Sequence, residues 1–309
     1  MITIKNVSKS YTQGFFLKKI QVLYDLSLQI EEGEIFGYLG HNGAGKTTTI
    51  KILLNLIKPD SGISLINNIP TKDNKARSII GFLPDHPYFY DYLTAYEFLD
   101  FCGKLHNIRS RNRVEGLLGL VGLKKFSSRQ LRKYSRGMLQ RLGFAQALIN
   151  DPKILILDEP MSGLDPQGRF EMRELLLHLK KQRKTIFFSS HILSDAEMIC
   201  DRVGILRHGH LISIGKLSNL IDQYIISILI ESSFPTSEQA KQFTLNVNNS
   251  FYQDEKVFIT LEKESDIDPI IHNIQNAGGH IISVIPKRQT LEDIFIKKTK
   301  ENAVEYNYT

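Results

Sequence analysis

Eight consecutive residues, Gly40-His41-Asn42-Gly43-Ala44-Gly45-Lys46-Thr47, fit the pattern G-x-x-x-x-G-K-[ST]. They follow the apolar run Ile35–Leu39 and open a helical pattern in which Ile50, Leu53, Leu54 and Ile57 recur at the spacing of one helix face. A strand before and a helix after are the context that gives this motif its chemical meaning. Glycines let backbone N–H groups close on phosphate oxygens. The helix start adds unpaired donors and the positive end of a dipole. In such a cradle Lys46 reaches the β- and γ-phosphates of a nucleoside triphosphate, and the Thr47 hydroxyl ligates Mg²⁺.

A second set of chemically able residues lies far downstream. Ile154-Leu155-Ile156-Leu157 is apolar throughout, as a parallel strand covered on both faces should be, and it runs into Asp158-Glu159-Pro160. Ligands of doubly wound sheets sit beyond the carboxyl ends of the strands. Asp158 is therefore expected to hold Mg²⁺ through water and Glu159 to polarise the attacking water, the alternative being an acidic strand end turned by proline. His191 follows the strand-like run Thr185–Phe188 through Ser189-Ser190. It either contacts the γ-phosphate and orients the water or simply enters a helix. Tyr11 is a candidate platform for an adenine ring, where stacking contributes about 1–3 kcal/mol. An ordinary core or surface tyrosine fits that position equally.

The elements that must hold these groups read as α/β over the first 215 or so residues. Short apolar runs bounded by glycine-rich turns alternate with helical patterns. Between about 86 and 150 no strong strand is visible. Tyr96, Leu99 and Phe101 begin a helical pattern there, and an amphipathic run through Leu139, Leu142 and Ile149 ends it, which predicts a helical insert. From about residue 220 the texture changes. Ile225–Ile230, Lys256–Leu261 and His280–Ile285 read as strands, with helical stretches between them and after Gln289, which predicts a small α+β appendage over 220–309.

The chain has 309 residues, 42% hydrophobic and 23% charged, as in a folded protein with room for one large and one smaller domain. No apolar run approaches the roughly 18–20 residues of a membrane-crossing helix. The longest, such as Ile154–Leu157 and Tyr224–Ile230, are short, and Ser227 breaks the second. Any membrane role is therefore expected to run through a partner chain. Met1-Ile2-Thr3-Ile4-Lys5 alternates like a strand and lacks the pattern of an export signal. Cys102 and Cys200 form no CxxC pair; they suit a reducing cytosol and point to neither a disulfide framework nor zinc. The formal charge of +6 fits a solvated basic surface or an attraction to anionic lipid, nucleotide or nucleic acid.

Together these residues resemble the ATP-binding cassette (ABC) family over about residues 1–217, with the motifs in the family's order. Tyr11 is similar to its adenine-stacking aromatic, and Gly40–Thr48, including Thr48, to its phosphate loop. Asp85 stands at the Q-loop position. Tyr134-Ser135-Arg136-Gly137-Met138-Leu139-Gln140-Arg141 resembles the signature motif. Asp158 and Glu159 match the metal aspartate and catalytic glutamate, Ser162-Gly163-Leu164-Asp165 the D-loop, and His191 the switch histidine. The resemblance implies an ATPase that uses ATP and Mg²⁺ and works as a head-to-tail dimer with a second cassette, either a copy of itself or a sister subunit. ATP then lies between the phosphate loop of one cassette and Ser135 and Gly137 of the other, with Asp165 close by. It also implies a separately encoded polytopic membrane permease as partner and a peripheral place on the cytoplasmic face of the cell's inner membrane. No nucleic acid is expected.

Several positions depart from the family pattern. The signature's leucine, first glycine and glutamine are Tyr134, Arg136 and Met138; Met161 replaces a threonine; the Q-loop glutamine is Asp85. These features, with the tail Thr290-Leu291-Glu292-Asp293-Ile294-Phe295, resemble a bacterial branch of drug-efflux, sodium-efflux, gliding-motility and copper-maturation ATPases. Export is the expected direction. Asp85 could ligate Mg²⁺, pair with a basic group on the permease, or cap the turn formed with Pro84 and Pro87. Two other classes compete. A soluble ABC ATPase acting on ribosomes or nucleic acid usually has two cassettes, coiled coils or zinc motifs, and none is visible. A phosphate-loop kinase leaves the signature, D-loop and His191 unexplained.

Overall fold

The structure, a computed structural model, describes residues 1–13, 18–220, 225–288 and 290–294. The chain divides into two compact units, Met1–Leu217 and Ser218–Thr309.

The first unit is built on a six-stranded sheet in the order His210–Lys216, Arg202–Arg207, Ile35–Leu39, Thr185–Ser190, Ile154–Asp158, Ile80–Leu83. All its pairings are parallel except that of the edge strand His210–Lys216. The strands Ile35–Leu39, Ile154–Asp158 and Thr185–Ser190 are buried at every position, which explains the apolar runs that make up most of each. Because these strands run the same way, their carboxyl ends share one edge of the sheet. Gly40, Asp85, Glu159 and His191 each follow such an end within two residues. Topology alone thus collects most of the chemically able groups.

A second, antiparallel sheet joins Lys18–Ile30, Ile2–Gln13, Ser61–Ile66 and Ile69–Pro70. Of this sheet, the sequence pattern marks only the stretch Met1–Lys5 as a strand. The register between Ile2–Gln13 and Lys18–Ile30 shifts at Ile4/Val7 and Val7/Lys9, and Asn6 and Asp25 take left-handed backbone angles (φ 51° and 44°). Each shift interrupts the two-residue alternation that marks a strand. This sheet carries Tyr11 and packs Ile2, Ile4, Val7, Leu23 and Leu26 into the same core as Phe36, Ile50 and Leu53.

The helix after the phosphate loop spans Lys46–Leu53, shorter than its apolar periodicity suggests. Asn55 adopts φ 54°; its N–H reaches the Ile52 carbonyl (2.9 Å) and the Leu56 N–H the Lys51 carbonyl (2.8 Å). This is a Schellman ending with asparagine in the usual glycine place. Ile57 therefore lies beyond the helix, half-buried. Between residues 86 and 150 the chain forms helices Ala95–Leu105, Arg111–Leu120 and Arg136–Ala147. The first starts at a capping box made by Thr94 and Glu97. Ile149 lies past the last helix rather than on it.

The second unit runs strand–helix–strand–strand–helix–strand, with strand order Ser250–Gln253, Lys256–Leu261, Ile225–Ser233, His280–Arg288, antiparallel throughout. This is the split βαβ arrangement. Ile228, Ile230, Val257, Ile259 and Leu261 pack with Ala240 and Phe243 of helix Ser237–Asn246 and Ile274 of helix Ile267–Asn276. The strand Ser250–Gln253 had escaped the sequence reading. Asp254 and Glu255 both take positive φ (49° and 63°) in a two-residue hairpin turn that usually advertises itself as Asn-Gly or Asp-Gly. Tyr224, Gln289, Phe295 and, beyond Ile294, the rest of the helical stretch expected after Gln289 lie outside the described residues.

Each unit has its own apolar cluster. A chain truncated after Ser218 should therefore melt cooperatively and keep its affinity for ATP, measured by circular dichroism and a fluorescent nucleotide analogue. A truncated chain that folds but fails to bind would contradict this division of labour.

Candidate active site

The phosphate loop is shaped by what surrounds it. A β-carbon on Gly45, where φ is 113°, would lie 2.7 Å from a Leu23 methyl and 3.1 Å from the Val22 carbonyl. One on Gly40 would collide with the Leu206 carbonyl. Gly45 sits at the N-cap with no side-chain cap, so the first N–H groups of helix Lys46–Leu53 face the loop's cavity without a protein acceptor. Lys46 is 6% exposed, and its Nζ donates to the carbonyls of Gly40 (2.6 Å) and His41 (3.3 Å). The same ammonium lies 3.1 Å from Glu159 Oε1.

Strand Ile154–Asp158 delivers two carboxylates. Asp158 is 2% exposed and accepts from Ser189 Oγ at 2.5 Å and from the Thr47 hydroxyl. Burial pushes its carboxyl pKa upward, the bonds from Ser189 and Thr47 oppose that, and the charges of Glu159 and Asp85 add to it. The raised pKa means that ionised Asp158 costs the empty chain stability, a cost that disappears as pH falls through that pKa. Glu159 follows with φ 51°, a left-handed conformation that costs a non-glycine residue about 1–3 kcal/mol. The Glu159 N–H donates to Ser189 Oγ (3.0 Å), and its carbonyl accepts from the Ser162 N–H (3.0 Å). Its carboxylate points back at Lys46 on one side, and Oε2 lies 2.8 Å from His191 Nδ1 on the other. Oε1 is buried and accepts no hydrogen bond, because Lys46 stands near it outside bonding geometry.

A cavity of about 330 Å³ gathers Tyr11, His41, Asn42, Gly43, Gly45, Lys46, Thr47, Thr48, Asp85 and Glu159, together with Val22. Ala44 lies buried beneath the loop. Asp85 Oδ2 sits 3.5 Å from His86 Nε2, and its side chain is 38% exposed. Gly40, Ala44, Asp158 and His191 do not line this cavity but adjoin residues that do, whereas Ser135, Gly137 and Asp165 belong to other helix starts. Ser135 caps helix Arg136–Ala147, accepting from the Met138 N–H (3.2 Å), and Gly137 is in that helix's first turn. Asp165 caps helix Pro166–Lys181, with Oδ1 accepting from the Gly168 N–H (2.9 Å).

Among the described residues no three His, Cys, Asp or Glu side chains converge on a point that could hold a metal by themselves. The donors present nevertheless fit Mg²⁺: a Thr47 hydroxyl, a buried Asp158 carboxylate bonded to it, and an orphaned Glu159 oxygen nearby. Mg²⁺ takes one or two carboxylates and completes its shell with phosphate and water. Two contributors went unread in the sequence. Ser189 bridges both acids, and Gln140 Nε2 donates to the Pro160 carbonyl (3.2 Å). Neither stands in a pattern that names its partner; only the fold brings them in.

A family model described as "ABC transporter" matches residues 23–162. An ABC transporter ATP-binding protein of Synechocystis sp. is 41% identical over 305 residues, covering 96% of this chain and 84% of that protein. The bacitracin transport ATP-binding protein BcrA of Bacillus licheniformis is 38% identical over 280 residues, covering 88% of this chain and 90% of that one. Among solved structures, a dimeric post-hydrolysis state of the ATP-binding cassette MJ0796 bound to ADP and Pi superposes with a TM-score of 0.64 at 29% identity. It covers 70% of this chain and 99% of that one.

Ser189→Ala would leave a buried Asp158 short of a donor and the Glu159 N–H without its acceptor. Each loss costs about 1–3 kcal/mol when the group stays buried. Calorimetric unfolding of the nucleotide-free variant should show that loss, and ATP turnover should fall with it. An unchanged melting temperature would mean that Ser189 does not support the acidic pair.

Proposed function

The chain belongs to the ABC transporter family as an ATP-binding, ATP-hydrolysing subunit, and on that footing we propose that it drives a separately encoded, export-type membrane permease as one half of a cassette dimer. The observation that carries the catalytic part is the meeting of Lys46, Glu159 and His191 in one row, at 3.1 and 2.8 Å, with Lys46 and Glu159 buried and His191 open to solvent. Lys46 spends its charge on two loop carbonyls and a carboxylate where phosphate oxygens, better acceptors for an ammonium, would lie. Entry of ATP exchanges those partners for the β- and γ-phosphates and frees the Glu159 carboxylate.

Glu159, 9% exposed and with one oxygen already lacking a donor, is then placed to accept a proton from an attacking water. His191 holds the other carboxylate oxygen and reaches toward the γ-phosphate side. Thr47 and Asp158 would hold Mg²⁺, which supplies charge neutralisation at the β- and γ-oxygens when bound. Tyr11, 39% exposed at the cavity rim, offers its ring to the adenine. Ser135 and Gly137 present a capped helix start to the nucleotide of a second cassette, which agrees with their lying outside this chain's own cavity.

The permease partner is supported by the surface beside Asp85. Tyr88, Tyr92, Tyr90 and Phe101 are exposed (83%, 63%, 41% and 42%), and the first, second and fourth rings each pack against Tyr90 with centroids 6.0 Å apart. An exposed aromatic patch of this kind marks an interaction site. No helix among the described residues is long and apolar enough to cross a membrane. With a polytopic permease as its partner, the chain would sit peripherally on the cytoplasmic face of the inner membrane. The export direction rests on the bacitracin transport relatives in Bacillus licheniformis and Enterococcus faecalis. Nothing in the site favours action on ribosomes or nucleic acid.

Glu159→Gln should bind ATP yet stop turning over, so that dimers accumulate on size-exclusion chromatography with ATP; near-normal turnover would remove Glu159 from the catalytic role. Ser135→Arg should spare ATP binding by the isolated subunit and block hydrolysis, whereas a parallel fall in both would refute the shared site. Asp85→Asn tests the metal at a position whose charge already acts on Asp158. Titrating Mg²⁺ at fixed ATP should give a raised midpoint for the variant. Equal midpoints, with transport lost and isolated ATPase kept, would assign Asp85 to the permease instead.

A further inference from the structure

Helix Arg136–Ala147 and the turn that follows Glu159 are fastened together along their length. A β-carbon on Gly163, where φ is 70°, would collide with the Arg136 guanidinium, and one on Gly137 would touch a Leu164 methyl at 3.5 Å. One turn further on, Gln140 is 6% exposed and donates from Nε2 to the Pro160 carbonyl (3.2 Å), a bond buried at both ends. Beyond it, Arg141 Nη1 pairs with Glu171 on helix Pro166–Lys181 at 2.9 Å. The Pro160 carbonyl is the acceptor one peptide after Glu159, whose left-handed φ of 51° must be imposed by its surroundings. Ser189 holds the N–H side of Glu159 and Gln140 holds the carbonyl of the next residue. The direction of the Glu159 carboxylate is thus set between a sheet strand and the signature helix.

We propose that Gln140 is a positioning residue for Glu159 of its own chain. It makes the signature helix and the catalytic turn move as one body, so a nucleotide docking at Ser135 and Gly137 adjusts the carboxylate that serves the opposite site. This rests on the reading that Glu159 is the catalytic base and that Ser135 and Gly137 meet the nucleotide of a second copy. Its consequence is a direction of action. Gln140 acts on the site whose phosphate loop is in its own chain, although it stands on the helix that touches the other site.

Mixed dimers carrying two affinity tags separate these possibilities. The reference pairs a wild-type chain with a Glu159→Gln chain, leaving one working carboxylate. In the first arm, Gln140→Leu is placed in the chain that keeps Glu159. In the second, Gln140→Leu is placed in the chain that carries Glu159→Gln. The first arm should lose kcat by about ten-fold or more, the scale expected when a catalytic group shifts by a fraction of an ångström to an ångström, with KM for ATP unchanged. The second arm should match the reference. Gln140→Glu, of the same size but without a donor when ionised, should follow Gln140→Leu and serves where the leucine variant misfolds. ATP-driven dimer formation shows that each variant chain is folded.

Loss confined to the second arm would overturn the proposal and assign Gln140 to the signature's own phosphate contact. Equal losses in both arms, or none in either, would overturn it as well. Placing Ser135→Arg in the Glu159→Gln chain checks the underlying reading separately. If hydrolysis by the wild-type chain survives that change, the shared site fails whatever Gln140 does.

Discussion

The fold of the first unit is arranged around one electrostatic problem: two adjacent carboxylates, 2% and 9% exposed, of which only Glu159 is paired with the buried Lys46 ammonium. Removing such charges from water costs several kcal/mol each, and a good ion pair repays that only when hydrogen bonds satisfy the remaining atoms. Asp158 meets the condition through Ser189 and Thr47; Glu159 meets it on one oxygen only, through His191. The unsatisfied oxygen and the lysine bent back onto loop carbonyls are two halves of the same deficit. A ligand bearing phosphate relieves the lysine, and a water donating a proton relieves the glutamate. The site is therefore short of hydrogen bonds, which is the condition under which binding is favourable and a proton acceptor stays ready.

The packing serves that arrangement. Parallel strands buried on both faces fix where each motif leaves the sheet, and the glycines at 40 and 45 admit no side chain because Leu206, Leu23 and Val22 already fill the space. Strain is placed where it is useful. The left-handed Glu159 is held through its N–H by Ser189 from the neighbouring strand, so its backbone is fixed by its surroundings rather than by its own preference.

What the sequence disclosed follows the same physics. The loop, the acidic strand end and the histidine were readable because phosphate and metal chemistry demand particular residue types at particular spacings. The buried strands were readable because burial on both faces leaves an unbroken apolar run. The sheet carrying Tyr11 was not, since its register shifts and the left-handed Asn6 and Asp25 scramble the alternation a reader looks for. The helix after the loop looked too long because Leu54 and Ile57 continue the apolar spacing while Asn55 ends the helix. Ser189 and Gln140 were hidden for a different reason: their partners are distant in sequence, and a serine after a strand or a glutamine inside a helix has no local mark.

The site as one chain builds it is half enclosed. Its cavity of about 330 Å³ is at the small end of ligand pockets, and Asn42, Gly43 and Thr47 on its floor are exposed. Hydrolysis needs water excluded and the attacking water positioned, neither of which an open cradle provides. The missing wall cannot come from this chain's own Ser135, which lies outside the cavity and caps an exposed helix start. A second helix start brought over the cradle would supply N–H donors to the face of the phosphate that the loop leaves bare, and it would do so only while the γ-phosphate is there to be shared. On the proposed shared site, the same deficit of hydrogen bonds that favours ATP in one chain would favour two chains around each ATP. A transporter can use that coupling, because the chemistry at the phosphate then controls the separation of two whole subunits.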